Sequence, residues 1–281
     1  MSSERPPIEQ RFPRPSVMGV VNVTPDSFFD GGANFSPTDA VASARRMMED
    51  GAAIVDLGGE STRPGSEGTS TEEELGRVLP VLEGLDDEVP VSIDTAKADV
   101  AWQALALGVE MVNDVTALRG DPRMAEVVAD EGAYLCLMHM QGEPRTMQVD
   151  PTYDDVVADV ARFLEERLAF AVAQGVPKEL ICLDPGIGFG KTVEHNFELI
   201  RRLDELTALG RPVLVGLSRK SSLGRVLGDS DATTGPLSAS LAAAVADELA
   251  RRFPAERVSV TVGKPDLELN GGHATVTVDR P

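Results

Sequence analysis

Cysteine, histidine, lysine and aromatic residues are all scarce in this sequence. Two cysteines in 281 residues, Cys136 and Cys182, cannot make a disulfide framework, and their spacing fits no zinc site. Both sit inside apolar runs, so buried free thiols are expected. The three histidines, His139, His195 and His273, have no partner at a telling spacing. No apolar run reaches the ~18 residues that cross a bilayer. Met1 to Pro15 is polar and proline-rich and lacks the apolar stretch of a signal peptide. These absences predict a cytoplasmic protein without a membrane partner.

Positive charge is short as well. Acidic residues number 46 against 26 basic ones, for a net charge of -20. Only five of the basic residues are lysine. Such a surface repels nucleic acid and anionic membranes. Hydrated carboxylates in place of lysine suit solubility in molar salt, where screening removes their repulsion, so a halophilic source is expected. Any anionic ligand must then be met by a local cluster of Arg and Lys.

What is present is a repeat of short apolar runs and periodic segments. The runs are Val17–Val23, Ile54–Leu57, Val89–Ile93, Met111–Val112, Tyr134–Met138, Leu180–Leu183, Val213–Val215 and Val258–Val262. Helical periodicity marks, among others, Thr38–Asp50, Thr71–Leu82, Lys97–Leu107, Pro122–Glu131, Asp154–Gln174 and Leu237–Arg252. Alternation of this kind predicts an α/β fold with a parallel sheet. Eight strands in this length favour a (β/α)8 TIM barrel over an open sheet. A doubly wound sheet would want a G-x-G-x-x-G turn after the first strand, and none is there. The expected organisation is a polar tail over 1–15, a barrel over 16–262 and a divergent tail over 263–281.

Strand ends carry the chemistry. The first ends in Asn22, the second leads into Glu60-Ser-Thr-Arg63, the third ends in Asp94 and the fourth in Asn113 and Asp114. The fifth ends in His139, the sixth in Asp184, and the seventh leads into Ser218-Arg-Lys220. In a barrel these ends share one face, where active sites form. A strand-end carboxylate can also simply cap the next turn. Gly31-Gly32, Pro64-Gly65 and the Gly186–Gly190 loop would let backbone approach a ligand closely.

Seven segments together resemble the dihydropteroate synthase family. They are Met18–Gly32 (MGVVNVTPDSFFDGG), Asp56–Gly65 (DLGGESTRPG), Val91–Thr95 (VSIDT), Val112–Asp114 (VND), Leu137–Met140 (LMHM), Leu183–Gly190 (LDPGIGFG) and Gly216–Ser221 (GLSRKS). The resemblance runs from about Ser16 to about Leu249. It implies a pterin-binding barrel enzyme that joins a dihydropterin diphosphate to p-aminobenzoate in folate biosynthesis. Asp184 would then accept hydrogen bonds from the pterin amino and ring N–H groups. Asp94 and Asn113 would hold the remaining polar edge, and Lys220 the acceptor side. Asn22 would contact a Mg²⁺ that bridges the diphosphate, with Asp30 helping to order that loop and the metal. Thr62, Arg63, Pro64, Phe189, Lys220 and Ser221 would form the p-aminobenzoate pocket, which sulfonamides would share. Arg219 would be a phosphate contact or a structural ion pair, His139 a supporting residue, and a homodimer is implied.

The C-terminus departs from that pattern. The family closes its eighth strand with Arg-x-His-Asp-Val, whose Arg and His grip the diphosphate. Here Arg257-Val-Ser-Val-Thr261 supplies Arg257 but puts Ser259 where the histidine is expected. An atypical eighth strand and tail follow, through natural divergence, truncation of a longer chain or an altered reading frame. Two other functions stay open at this point. One is a pterin barrel that carries methyl groups, which would have no need of the Ser-Thr-Arg-Pro-Gly and Ser-Arg-Lys-Ser segments. The other is a pterin binder without turnover.

Overall fold

The computed structural model describes residues 5–13, 16–24, 36–61, 68–217 and the backbone of 258–261. Seven parallel strands follow one another around a curled α/β sheet: β1 (Val17–Asn22), β2 (Ile54–Gly58), β3 (Val91–Asp94), β4 (Met111–Asp114), β5 (Tyr134–Met138), β6 (Ile181–Asp184) and β7 (Val213–Gly216). Each pairs with its sequence neighbour. The backbone of β8 (Val258–Thr261) runs parallel to β7 and also pairs with β1.

Side chains alternate along a strand, so each strand has an inner and an outer face. Outer positions such as Val55, Leu57, Ile93, Val112, Leu135 and Leu183 join one large core with the surrounding helices. Inner positions Met18, Ile54, Met111, Tyr134, Cys136, Cys182 and Leu214 make a second core inside the curl. Cys136 and Cys182 are register partners, buried and unoxidised. Their mutual contact and their burial push the Cys136 thiol up, so it stays inert.

The helices α2 (Pro37–Glu49), α3 (Thr71–Gly84), α4 (Ala98–Ala106), α5 (Met124–Glu131), α6 (Val156–Ala173), α7 (Val193–Arg201) and α8 (Leu203–Thr207) fill the crossovers. Local signals set their ends. Ser36 and Asp39 form a capping box at the start of α2, and Thr192 and His195 do so at α7. Asp155 accepts from the amides of Val157 and Ala158 to open α6. Gly132, with φ at +58°, ends α5 in the left-handed conformation. The expected start at Pro122 shifts to Met124, because Asp121 uses its carboxylate on the amides of Arg123 and Ala98. The expected helix Leu237–Arg252 lies outside the described residues. Among the described residues no helix is long and apolar enough to cross a membrane.

Part of the segment read as a polar tail is structural. A single turn, α1 (Ile8–Arg11), carries Ile8 into the inner core. Tyr134 donates its hydroxyl hydrogen to the Pro6 carbonyl at 2.9 Å, and Arg11 pairs with Glu110 at 2.9 Å. The turn therefore lies at the N-terminal end of the strands, away from the strand ends that hold the polar residues. One apolar residue within a polar stretch gives no periodicity, so the sequence pattern could not reveal it. Replacing Ile8 with Ala should cost about 2–4 kcal/mol in denaturant unfolding; a loss under about 0.5 kcal/mol would mean that the turn contributes nothing.

Candidate active site

Four of the residues singled out by the sequence meet on the inner face at the C-terminal strand ends. Asn22 and Asp94 are both register partners of Gly58, and Asp94 is paired with Asn113. A Cβ built on Gly58 would stand 2.7 Å from Asn22 Oδ1 and 3.6 Å from Asp94 Oδ2. Only glycine leaves this space open. Asp184 ends β6, two residues beyond inward-facing Cys182, and pairs with Met138. Its Oδ1 accepts the Gly186 amide at 2.6 Å, and its carbonyl accepts the His139 amide at 2.9 Å.

Asp114 does not join them. Its carboxylate accepts from the Thr116 amide and hydroxyl and from the Leu118 amide, at 2.7–2.8 Å. That ties down a turn in which Ala117 and Leu118 both have positive φ. A strand end of Asn-Asp thus splits into one inward and one turn-capping residue, as strand alternation requires.

The acids around the rim are crowded. Asp94 keeps some solvent access at the rim, yet packing around it and the neighbouring carboxylates Asp56, Glu74, Asp114 and Glu60 hold its pKa well above the usual range. Lys97 offsets part of this by bridging Glu60, at 2.6 Å, and fully buried Glu74. Glu60 also accepts the Thr69 amide at 2.7 Å, and Arg77 donates to the Gly59 carbonyl at the same distance. These bonds join the two sides of the segment between β2 and α3.

The loop after β6 rests on a buried lysine. Lys191 is 3% exposed, and its ammonium donates to His139 Nδ1 at 2.9 Å and to the carbonyls of Phe189 and Gly186 at 2.9 and 3.0 Å. His139 is therefore a supporting residue, as the sequence suggested. Burial and the positive charges of Lys191 and Arg119 push its pKa down to about 2, so the ring stays neutral. Gly186 has φ at +66°, and an added Cβ would meet the His139 carbonyl oxygen at 1.9 Å. Phe189 packs on Val115, Met138, Met140 and Met147. Asp30, Thr62, Arg63, Pro64, Arg219, Lys220, Ser221 and Arg257 lie outside the described residues, as does the side chain of Ser259.

The profile of the family described as pterin binding enzyme matches residues 18–251. The chain belongs to this family. Relatives include the dihydropteroate synthase of Escherichia coli K12, 47% identical over 82% of this chain and 83% of that one. A probable bifunctional folylpolyglutamate synthase/dihydropteroate synthase of Haloferax volcanii is 46% identical over 78% of this chain, a match that spans 26% of that longer protein. Among solved structures, a Yersinia pestis dihydropteroate synthase with a sulfonamide drug complex has a TM-score of 0.80 and 40% identity, covering 89% of each chain. A Xanthomonas albilineans dihydropteroate synthase with 4-aminobenzoic acid has a TM-score of 0.77 and 44% identity over 89% of this chain and 87% of that one.

Two residues of the candidate site escaped the sequence reading. Asp56 sits on the inner face of β2, one layer below Gly58, and its Oδ2 accepts from Asn113 Nδ2 at 2.9 Å. A charged residue inside an otherwise apolar strand was the available signal. Lys191 is the other, and its signal was its place directly after the Gly186–Gly190 loop in a chain with so few lysines.

Two outcomes follow from these geometries. A raised carboxylate pKa means that the native state holds a proton which the unfolded chain releases; stability falls as pH rises above the unfolded value and through the folded one. Asp94→Asn should therefore raise the thermal midpoint at pH 8 more than at pH 4, and an equal shift at both would reject the crowding argument. Lys191→Met strands three acceptors and should cost about 2–4 kcal/mol of unfolding free energy. The same loss with Lys191→Arg would be expected only if the loop could not accommodate the larger cation.

Proposed function

We infer that this chain catalyses the dihydropteroate synthase reaction, condensing 6-hydroxymethyl-7,8-dihydropterin diphosphate with p-aminobenzoate to give 7,8-dihydropteroate and diphosphate. The chain is a transferase of the pterin-binding family, and its substrates are these small molecules. The observation that carries the reading is the convergence of Asn22, Asp94, Asn113 and Asp184 around Gly58 and the Gly186–Gly190 loop. The family also favours the complete (β/α)8 barrel over residues 16–262, in agreement with the pairing of β8 to both β7 and β1.

In this reading Asp184 accepts two hydrogen bonds from the amino and ring N–H groups, a charge-assisted fork. Its orientation is already set by the Gly186 amide. Lys220 takes the acceptor side of the ring. Diphosphate leaves first, and the resulting cation spreads into the ring. The carboxylates of Asp94 and Asp184 stabilise that positive charge as fixed groups that need no reorganisation. The arylamine of p-aminobenzoate then attacks the exocyclic methylene. It is already a free base at neutral pH, so no histidine is needed, in keeping with a buried, neutral His139. Phe189 backs the benzoate ring, with Thr62, Arg63, Pro64 and Ser221 completing that pocket.

The leaving diphosphate calls for Mg²⁺. Among the described residues no group of three His, Cys, Asp or Glu is arranged to hold a metal ion. Mg²⁺ keeps several waters and binds mainly through substrate phosphates. Asn22 Oδ1 is a hard oxygen beside the gap left by Gly58, and it would be the metal's protein contact, with Asp30 nearby. The ion would neutralise charge on the departing group. Arg257 would contact the same diphosphate. The acidic composition supports a halophilic source.

Diphosphate release with dihydropterin diphosphate, p-aminobenzoate and Mg²⁺ across a salt series tests the reading. Activity should need all three, should be blocked by sulfonamides in competition with p-aminobenzoate, and should disappear on chelation. Asp184→Ala should weaken binding of a pterin analogue by at least about a hundredfold in calorimetry, the loss of two charge-assisted bonds. Unchanged binding would remove Asp184 from the site.

A further inference from the structure

A buried ammonium brackets Asp184 from both sides. Asp184 is held at two points: its Oδ1 accepts the Gly186 amide at 2.6 Å, and its carbonyl accepts the His139 amide at 2.9 Å. Lys191 holds both of these donor residues. Its Nζ donates to the Gly186 carbonyl at 3.0 Å and to His139 Nδ1 at 2.9 Å, with the His139 carbonyl at 3.4 Å. A third short bond, at 2.9 Å, goes to the Phe189 carbonyl. An ammonium has three hydrogens, and three close acceptors surround this one. Separate side chains hold the rest of the loop. Gln148 donates to the Gly188 carbonyl and Tyr153 to the Gly190 carbonyl, both at 2.7 Å, and Asn196 accepts the Gly188 amide at 2.8 Å. At Gly186 and Gly190, both with positive φ, an added Cβ would strike the backbone of His139 or Gln141. The loop is thus pressed against the chain that follows β5. A charge is costly to bury, and apolar packing can often replace a buried ion without loss of stability. The reaction steps above give Lys191 no part.

We propose that Lys191 is a positioning residue for both substrates: through Gly186 and His139 it aims the Asp184 carboxylate, and through the Phe189 carbonyl it sets the Phe189 ring. The inference rests on the reading of Asp184 and Phe189 given above. A carboxylate that forks two N–H groups does so in one plane, so its aim matters as much as its presence, and small displacements at such a group are costly. Phe189 is fixed at two ends. Its ring packs on Val115, Met138, Met140 and Met147, and its carbonyl is held by Lys191. Gln148, Tyr153 and Asn196 would still hold residues 188 and 190 without Lys191. Its loss therefore frees the turn after Asp184 and the Phe189 backbone while leaving the loop in place.

Calorimetry with 6-hydroxymethylpterin and inhibition of diphosphate release by sulfanilamide test this. Lys191→Met should weaken the pterin by at least about tenfold and raise the sulfanilamide inhibition constant by at least about threefold. Beside Asp184→Asn, where the carboxylate fork is already gone, Lys191→Met should weaken the pterin by less than about threefold further, because members of one network are not additive. Ile8→Ala, expected to cost comparable stability at the N-terminal end of the strands, should leave both constants unchanged. Lys191→Gln, which keeps a donor without the charge, replaces Lys191→Met should that variant not fold. A merely structural role would make Lys191→Met behave like Ile8→Ala. Unchanged pterin binding, an undiminished loss beside Asp184→Asn, or an unchanged sulfanilamide constant overturns the proposal while leaving the functional reading intact. Failure of the wild type to bind either probe removes both.

Discussion

Negative charge packed into a curl of strands is the constraint that governs this molecule. Asp56, Asp94, Glu60, Glu74 and Asp114 act on one another through protein rather than water. Like charges in a low-dielectric interior repel strongly, and burial alone already disfavours each charged form. The surrounding structure shows how that is contained. Lys97 bridges two of the acids, Asp114 is held by turn hydrogen bonds, and Asp56 is capped by Asn113. Burial and these neighbours still hold the Asp94 pKa well above the usual range. A raised carboxylate next to an inward-facing asparagine and a glycine gap is a costly arrangement for a scaffold. It is a suitable one for a ligand that brings donors and a developing positive charge.

The same logic separates the two halves of the rim. On the β1–β4 side the stabilising elements are ionic and lie behind the strand ends. On the β5–β6 side a single buried ammonium does the organising. Lys191 gathers three acceptors from two loops, and a neutral histidine is among them. Protonation of that ring would set two cations against each other, so the depressed His139 pKa and the lysine's position have one cause. The loop carrying Phe189 is thereby fixed to the backbone that orients Asp184. Phe189 and Asp184 therefore belong to one connected piece, and a shift in either would move the other.

The sequence made the architecture legible because the alternation of apolar runs and periodic segments is long, regular and uninterrupted. The inward positions Asn22, Asp94, Asn113 and Asp184 were legible too, since each breaks an apolar run at its C-terminal end. What could not be read is what lies one layer deeper or one residue outward. Period two distinguishes faces but not depth, so Asp56 looked like part of a motif rather than the floor of the site. Adjacent Asn113 and Asp114 looked equivalent until the pleat sent them to opposite faces. Ile8 was hidden by a polar context, because a single docking side chain has no period. Lys191 was hidden for a different reason. Its partners are two main-chain carbonyls and a ring nitrogen contributed by separate loops, and no local pattern encodes such a meeting.

Hydrogen-bond direction can discriminate between ligands in a way that charge cannot. A carboxylate accepts from any donor, and an ammonium donates to any acceptor. Carboxylates such as Asp94 and Asp184 therefore suit donor groups in general without distinguishing closely related ones. An amide is directional, and its direction is set by whatever holds its far end. Asn113 is the one amide on the inner face among the described residues whose far end is held by a buried acid. That acid is Asp56, which β2 supplies two positions before Gly58.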